Sequence, residues 1–188
     1  MTETSTATDA STIALERGTW TLDPAHTEIA FTAKHLMVAR VRGQFRQFDG
    51  TITVGDTPQT SSVEVTIGAA SLDTNAPDRD GHLRSADFLD VENHPNLTFR
   101  STAVRPAGSG YELDGDLTIR GVTKPVTLAV VFEGVATDPY GNTKVGFSAG
   151  TTILREDWGL SWNVALEPGG WLVSKDVKID IVAELIKA

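Results

Sequence analysis

The sequence predicts an all-β domain of about eight antiparallel strands, either a closed barrel or a sandwich. Three observations support this fold class. Apolar and polar residues alternate with a period of two in several segments, turn sequences rich in glycine, proline and aspartate separate these segments, and one long insertion interrupts them. Such alternation is typical of antiparallel strands with one buried face. The 188 residues suffice for a single domain with a sizeable core.

The alternating segments follow one another along the chain. The clearest have their apolar faces at Ile29, Phe31, Ala33 and His35, at Val63, Val65, Ile67 and Ala69, at Leu97, Phe99, Ser101 and Ala103, and at Tyr111, Leu113, Gly115, Leu117 and Ile119. Further strands are expected over residues 126–132, 144–154 and 173–186. After the first segment, the apolar pair Phe45 and Phe48 does not share one phase with Ile52 and Val54, because Phe45 is out of step with the rest. This indicates a bulge near Gln47.

The insertion over residues 71–99 has almost no period of two. Within it, Leu83, Ala86 and Leu89 lie at helical spacing, Phe88 flanks them, and an acid at position 80 would favour the first turn of a helix. We therefore expect a short amphipathic helix within residues 78–91, with its apolar edge against the barrel. Its charged residues would fix it to neighbouring loops: Arg79, Asp80, Arg84 and Asp87.

Small side chains occupy several inward positions near the middle of the strands, namely Ala33, Ala69, Ser101, Gly115, Ala149 and Thr151. A solid core usually has branched or aromatic residues there. If these rows face one barrel, they leave an apolar bore, and an eight-stranded barrel is about wide enough for one slender ligand. Alternatively, they allow close packing of two sheets or of a crossing helix. The pattern alone leaves both interpretations open.

The amino-terminal segment and the lengths of the apolar runs indicate where in the cell the protein is expected. Residues 1–17 are rich in threonine and serine and carry no positive charge before Arg17, so we expect a disordered tail followed by a folded domain over residues 18–188. A secretory leader needs a basic start and a long apolar core. The longest apolar run, residues 128–132, is far shorter than the roughly 20 residues needed to span a bilayer. These features predict a soluble, cytoplasmic protein without a transmembrane segment.

Composition and motifs argue against several functional classes. A net charge of −9 disfavours nucleic-acid binding, and the absence of cysteine excludes thiolate sites. The four histidines, His26, His35, His82 and His94, lack the spacing of a sequence-local metal site, although His26 with Asp23 or His82 with Asp80 could meet in space. No nucleophile elbow, phosphate-binding loop or dinucleotide fingerprint is present. We expect no catalytic residue, no metal and no cofactor.

Four segments of the chain, taken in order, resemble a known family. They are WTLDPAHTEIAFTAKHLMVARVRGQF (20–45), SLDTNAPDRDGHLRSADFLDVENHPNLTFRS (71–101), LDGDLTIRGVTKPVTL (113–128) and ILREDWGL (153–160). Together they resemble the YceI-like proteins, a polyisoprenoid-binding family with an extended lipocalin-like fold. The resemblance runs from about Trp20 to Ala188. Many members are exported, whereas this chain begins with a polar tail, which favours the cytoplasm.

The resemblance implies an all-β fold with short helices, an eight-stranded antiparallel lipocalin-like β-barrel, usually dimeric. It also implies an apolar tunnel for a long isoprenoid, such as a quinone tail or a polyprenyl lipid, although some members take other long-chain amphiphiles. The expected function is non-catalytic binding, carriage or sequestration of such a lipid, and the expected partners are this lipid and a second copy of the chain. A strand that is apolar on both faces, with Ala129 and Val131 behind Val130 and Phe132, is a candidate dimer face.

The candidate ligand-binding residues combine the inward rows with the apolar residues of the insertion: Phe31, Ala33, His35, Phe45, Ile67, Leu83, Phe88, Leu97, Phe99, Gly115, Leu117, Ile119, Val130, Phe132, Phe147, Ile153 and Trp162. His35 is either a headgroup contact or a satisfied core histidine. Trp158 is expected to be a core plug, and weaker candidates for the tunnel mouth are Arg155, Asp157 and Asn163.

Two alternative functions remain. An enzyme that modifies a bound isoprenoid would need a polar dyad inside the bore, where His35 is the one inward titratable residue that the pattern identifies. A ligand-free interaction module would have a barrel filled by its own side chains.

Overall fold

The computed structural model describes residues 15–167 and 169–188, in which eleven strands and one α-helix occur. The strands are β1 Gly18–Leu22, β2 Glu28–His35, β3 Ala39–Phe45, β4 Phe48–Val54, β5 Ser62–Gly68, β6 Leu72–Asp73, β7 Asn96–Ala107, β8 Gly110–Ile119, β9 Val122–Thr137, β10 Thr143–Leu154 and β11 Asp176–Lys187. The helix α1 is Pro77–Arg84. The predicted disordered tail lies outside the described residues except for positions 15–17. Within the described ranges, every helix is too short or too polar to cross a bilayer.

Eight of the strands form a closed antiparallel barrel, which confirms the predicted fold. The ring runs β1, β4, β5, β7, β8, β9, β10 and β11, and it closes because β11 also pairs with β1. Each pair is antiparallel. Closure pairs both edges of every strand in the ring, which removes the exposed edges of an open sheet.

The strands β2, β3 and β6 extend the same sheet at one end of the barrel. Both β1 and β2 pair with β11, since Leu22 lies opposite Leu185 and Glu28 lies opposite Val182. They therefore act as one long strand that is interrupted at residues 23–27. We call the end at the β4–β5 connection, residues 55–61, the upper end, and the end next to α1 the lower end.

Two irregularities set which side chains face inward. The strand is interrupted between β3 and β4 at residues 46–47, where the sequence predicts a bulge. A second register shift falls between Ser101 and Ala103, opposite β8. The predicted inward row of β7 is therefore wrong beyond Ser101, because Ala103 is exposed and Val104 faces the barrel interior instead.

The predicted helix is shorter than expected and is not amphipathic. Helix α1 ends at Arg84, and Ser85 terminates it by donating from both its backbone N–H and its hydroxyl to the carbonyl oxygen of His82. Of the apolar residues predicted for this helix, only Leu83 lies on it. Phe88 and Leu89 are buried, but they come from the turns that follow.

A buried carboxylate holds α1 to the chain that precedes it. Asp80 is 6% exposed and accepts from the backbone N–H of Thr74 at 3.0 Å and from the Thr74 hydroxyl. Arg84 donates to the carbonyl oxygens of Ala70 and Leu72, at 2.9 and 2.5 Å. Asp80 and Arg84 therefore fix the helix to the preceding segment, as the sequence predicts, whereas Asp87 contacts His82 of the helix itself.

Replacing this carboxylate tests its structural role. We expect Asp80→Ala to lower the free energy of unfolding by about 2–4 kcal/mol, because the buried Thr74 N–H loses a charged acceptor. The matched control is Asp78→Ala, which removes an exposed acid from the same helical turn and should cost less than about 1 kcal/mol. Urea denaturation of both variants measures the difference, and equal losses would contradict this role.

Candidate ligand-binding cavity

An elongated cavity extends along the interior of the barrel. Its volume of about 510 Å³ lies within the range of about 300–1,000 Å³ that is typical of ligand pockets. Its walls are mostly aliphatic and aromatic. On β8 the lining extends from Tyr111 to Ile119. The eight steps between these residues, at about 3.3 Å each, correspond to roughly 26 Å along the strand, or about 20 Å along the axis of a barrel with the usual strand tilt. The cavity is thus long and narrow.

The cavity reaches solvent at the upper end. There its lining includes the exposed residues Arg17, Asp56 and Thr57. The guanidinium of Arg17 lies 2.6 Å from the Asp56 carboxylate, and both side chains are about 70% exposed. Solvent screens such a pair strongly, so it contributes little to stability.

The lower end of the cavity is closed. Its floor consists of Phe88, Leu89 and Leu160, all buried, together with Arg155. Behind this floor, the ring of Trp162 packs on Phe88 with 5.3 Å between centroids. The cavity is therefore a blind tunnel among the described residues, with one polar mouth and one buried end.

Thirteen of the seventeen predicted residues line this cavity: Phe31, Ala33, Phe45, Ile67, Leu83, Phe88, Leu97, Phe99, Leu117, Ile119, Val130, Phe147 and Ile153. The period of two placed most of them correctly, because one face of each barrel strand points inward. Their contact with a ligand stays a prediction.

The other four predicted residues lie outside the lining. His35 is at the last position of β2 and pairs with Val173, which does line the cavity. Trp162 backs the floor against Phe88 and His82. Phe132 packs in a separate cluster with Trp20, Val145 and Leu185.

Gly115, the fourth of these residues, is covered by an aromatic ring. A Cβ atom added at Gly115 would overlap the ring of Phe99 and would lie 2.7 Å from the carbonyl oxygen of Arg100. In the same way, a Cβ at Gly43 would overlap the ring of Phe31, its partner across the β2–β3 pair. Each glycine therefore lets a large ring pack directly on the sheet backbone.

The small residues thus have three different roles. Ala33, Ala149 and Thr151 line the cavity as predicted. Ala69 is 1% exposed and packs in the core, and the Ser101 hydroxyl accepts from the backbone N–H of Val63 at 2.8 Å. Small size alone did not distinguish a lining position from a packed one.

Sequence reasoning missed much of the wall. On β11, alternate residues line the cavity: Val177, Ile179, Ile181, Ala183 and Leu185. The strand itself was predicted, and its period of two could have given this face.

The predicted mouth residues are wrong: Arg155 lies at the closed end, Asp157 is not in the lining, and the Asn163 side chain forms hydrogen bonds with the backbone of Val173. Trp158 is the predicted plug, since its Nε1 donates to the Leu117 carbonyl oxygen at 2.9 Å.

A cluster of ionisable groups lies outside the cavity, where β1 gives way to β2. Asp23, His26 and Glu184 come close enough to suit a metal ion. However, the Lys144 ammonium lies 2.7 Å from Asp23 and 3.0 Å from Glu184. A lysine therefore supplies the positive charge between these carboxylates, and the cluster is an ion-pair network that ties the interruption to β10 and β11. The other proposed pair is wrong, because His82 contacts Asp87 and not Asp80.

Comparison with known proteins agrees with this architecture. A family model described as the YceI-like domain matches residues 20–185, which is nearly the whole barrel. A UPF0312 protein of Pectobacterium atrosepticum is 42% identical over 163 residues, covering 86% of this chain and 82% of that protein.

The chain belongs to the YceI-like family.

Solved structures show the same fold. BcnA of Burkholderia cenocepacia has a TM-score of 0.73 at 24% identity, with 87% of this chain and 98% of that chain covered. A domain of Saccharophagus degradans described as polyisoprenoid binding has a TM-score of 0.68 at 14% identity, with 90% and 98% covered. The YceI-like barrel is thus shared well beyond clear sequence similarity.

Filling the space above Gly115 tests how this YceI-like cavity stays open. We expect Gly115→Ala to lower the free energy of unfolding by about 1–3 kcal/mol and to reduce uptake of Nile red, because the Phe99 ring must move toward the axis. Adding Phe99→Leu should restore part of the stability. The control is Gly81→Ala, where no atom lies within 4 Å of the new methyl group. Wild-type stability and dye uptake in Gly115→Ala would contradict this account.

The ion-pair network predicts a pH dependence. Hydrogen bonds from Lys144 and His26 lower the pKa of Asp23, whereas the Asp23 hydrogen bond and the Glu184 charge raise the pKa of His26 above 6.5. The stabilisation from Asp23 is present above its unfolded pKa of about 3.9 and is lost as pH falls through the lowered value. The stabilisation from His26 is complete below about 6.5 and is lost as pH rises through the raised value.

Both contributions are therefore present between about pH 4 and 6.5. We expect the stability difference between wild type and His26→Gln to shrink as pH rises above 6.5, and an NMR titration of the His26 ring to give a pKa above 6.5. A His26 pKa at or below 6.5 would show that the network does not form in solution.

Proposed function

We propose that this YceI-like barrel binds one long-chain isoprenoid lipid in its cavity, and carries or sequesters the lipid without changing it chemically. The observation that supports the proposal is the long, apolar cavity with one mouth and a closed floor. The Saccharophagus degradans domain, described as polyisoprenoid binding, has the same fold. A prenyl chain, such as a quinone tail or a polyprenyl group, has the slender apolar shape that the cavity would take.

The driving force for such binding is burial of hydrocarbon. Each buried methylene contributes about 0.8 kcal/mol, so a chain of several prenyl units supplies more free energy than the loss of ligand freedom consumes. Selectivity would then depend on the width and length of the cavity. Phe31 and Phe99 on the wall and Phe88 on the floor set these dimensions.

The ionisable residues of the lining favour carriage over catalysis. Among the described residues, these are Arg17 and Asp56 at the solvated mouth, Tyr111 on β8 and Arg155 at the floor. General acid–base catalysis needs a donor and an acceptor within reach of the reacting group. His35, the residue that an isoprenoid-modifying enzyme would use, lies outside the lining.

The homodimer expected from the resemblance stays a prediction. The outward faces of β9 and β11 expose Val131 and Val182, which both lie beside Ser148 of β10. These two valines, one on each side of Ser148, offer apolar surface that a second copy of the chain could cover.

Blocking the cavity tests the proposed function. We expect the wild-type protein, purified without detergent and extracted with organic solvent, to release a long-chain lipid that mass spectrometry detects. Ala149→Trp should release at least tenfold less, because Ala149 lies in the middle of the wall between Val130 and Ile181.

The matched control is Ala103→Trp, which places the same side chain on the exposed face of β7. It should release as much lipid as the wild type. Circular dichroism must show that both variants are folded. A folded Ala149→Trp variant with wild-type lipid content would refute binding in the cavity.

A further inference from the structure

The floor of the cavity contains an arginine that the proposed function does not yet use. Arg155 follows the lower end of β10, lines the closed end of the cavity and is only 4% exposed. Its guanidinium carbon lies 5.9 Å from the centre of the Phe88 ring, another floor residue. A fully charged group is thus placed at the buried end of an otherwise apolar tunnel.

Two of the three guanidinium nitrogens have partners. Nε donates to the carbonyl oxygen of Ser174 at 2.9 Å, and Nη1 donates to that of Leu160. Nη2 is buried and has no hydrogen-bond partner among the described residues. The two carbonyl groups hold the guanidinium in a fixed orientation, so the free nitrogen has a defined position.

Arg155 forms no ion pair in the described part of the chain, although the nearby charge of Glu156 acts on it. The neighbouring acid, Glu156, instead pairs with Lys175 at 3.2 Å. Burial lowers the pKa of Arg155 from its ordinary value, but an arginine remains protonated in a protein. A buried charge with an unmade hydrogen bond is costly, and an anionic acceptor that enters the cavity would relieve this cost.

We propose that Nη2 of Arg155 binds an anionic oxygen of the ligand headgroup, so that the lipid lies head-down in the cavity with its tail toward the mouth. This inference depends on the proposed function, because it requires an amphiphile in the cavity. Nε and Nη1 are already occupied, and Nη2 is fully buried, so the head reaches Nη2 only when floor side chains such as Phe88 move aside. A carboxylate and a phosphate monoester share the required chemistry, whereas an alcohol of the same chain length lacks the charge.

Two pairs of ligands with the same chains test this orientation: palmitate with hexadecanol, and farnesyl phosphate with farnesol. Displacement of Nile red, a neutral dye, measures the four affinities on wild-type protein and on Arg155→Met. We expect the wild type to prefer the anionic member of at least one pair by about 10- to 100-fold. Arg155→Met should lose this preference and keep its affinity for the alcohols.

The control is Arg100→Met, the same substitution on the exposed face of β7 and outside the cavity lining, which should retain the wild-type preference. A preference for farnesyl phosphate alone would assign the head as a phosphate, and one for palmitate alone would assign it as a carboxylate. If Arg155→Met does not fold, the wild-type comparison still decides, as does a shift of the Arg155 Nε resonance upon addition of the anionic ligand.

Two results would overturn the inference while leaving lipid binding intact: equal affinity of the wild type for the anion and the alcohol in both pairs, or a full anion preference in folded Arg155→Met. Failure of the wild type to bind any of the four ligands would overturn the proposed function as well. The two failures are therefore distinguishable.

Discussion

A ring of eight strands encloses more space than its own inward side chains fill, and the rest of this structure depends on that space remaining open. Two of the largest inward residues, Phe31 and Phe99, pack on Gly43 of the sheet extension and Gly115 of the barrel wall. Because glycine lacks a Cβ atom, each ring can occupy the place where a neighbouring side chain would begin. The aromatic residues thus give the wall apolar surface and still leave a cavity of about 510 Å³.

The two ends of the cavity differ in ways that suit an amphiphile. Exposed polar residues surround the mouth, where entry and exit would take place. Next to the floor, Asp80 and Arg84 fix α1 through hydrogen bonds to backbone groups of the preceding segment. Arg155, on the floor itself, differs from them because one of its nitrogens is left without a partner among the described residues. Unpaired buried polar groups are rare in folded proteins, and this one lies where a ligand headgroup would arrive.

The alternation of apolar and polar residues predicted the barrel and most of its wall, because a strand in a barrel has one inward face by geometry. It failed where the backbone departs from regular strand structure. The bulge opposite β8 moves Ala103 outward and Val104 inward, and single-sequence patterns do not show it. Phe88 and Leu89 were predicted on a helix, yet turns after Ser85 place them at the floor. Both residues are nevertheless buried, as the sequence predicts, because the turns bring them to the same side of the barrel interior.

Other misses have a different physical cause. His35 has the phase of the inward row, but it is the last residue of its strand and is outside the cavity lining. Gly115 was predicted to line an open bore, although the ring of Phe99 from the neighbouring strand β7 fills the space above it. The mouth comes from loops, which have no period to analyse. Side-chain identity and phase thus predict which face of a strand is inward. They do not predict how far along the barrel axis an inward residue lies or which neighbouring side chain covers it.

The most direct test of the central claim is a crystal structure of the protein purified without detergent. We expect continuous non-protein electron density along the barrel axis, from the mouth beside Arg17 to the floor at Arg155. The rings of Phe31 and Phe99 should lie against their glycines. An axis filled by the protein's own side chains, with no room for a hydrocarbon chain, would contradict the account.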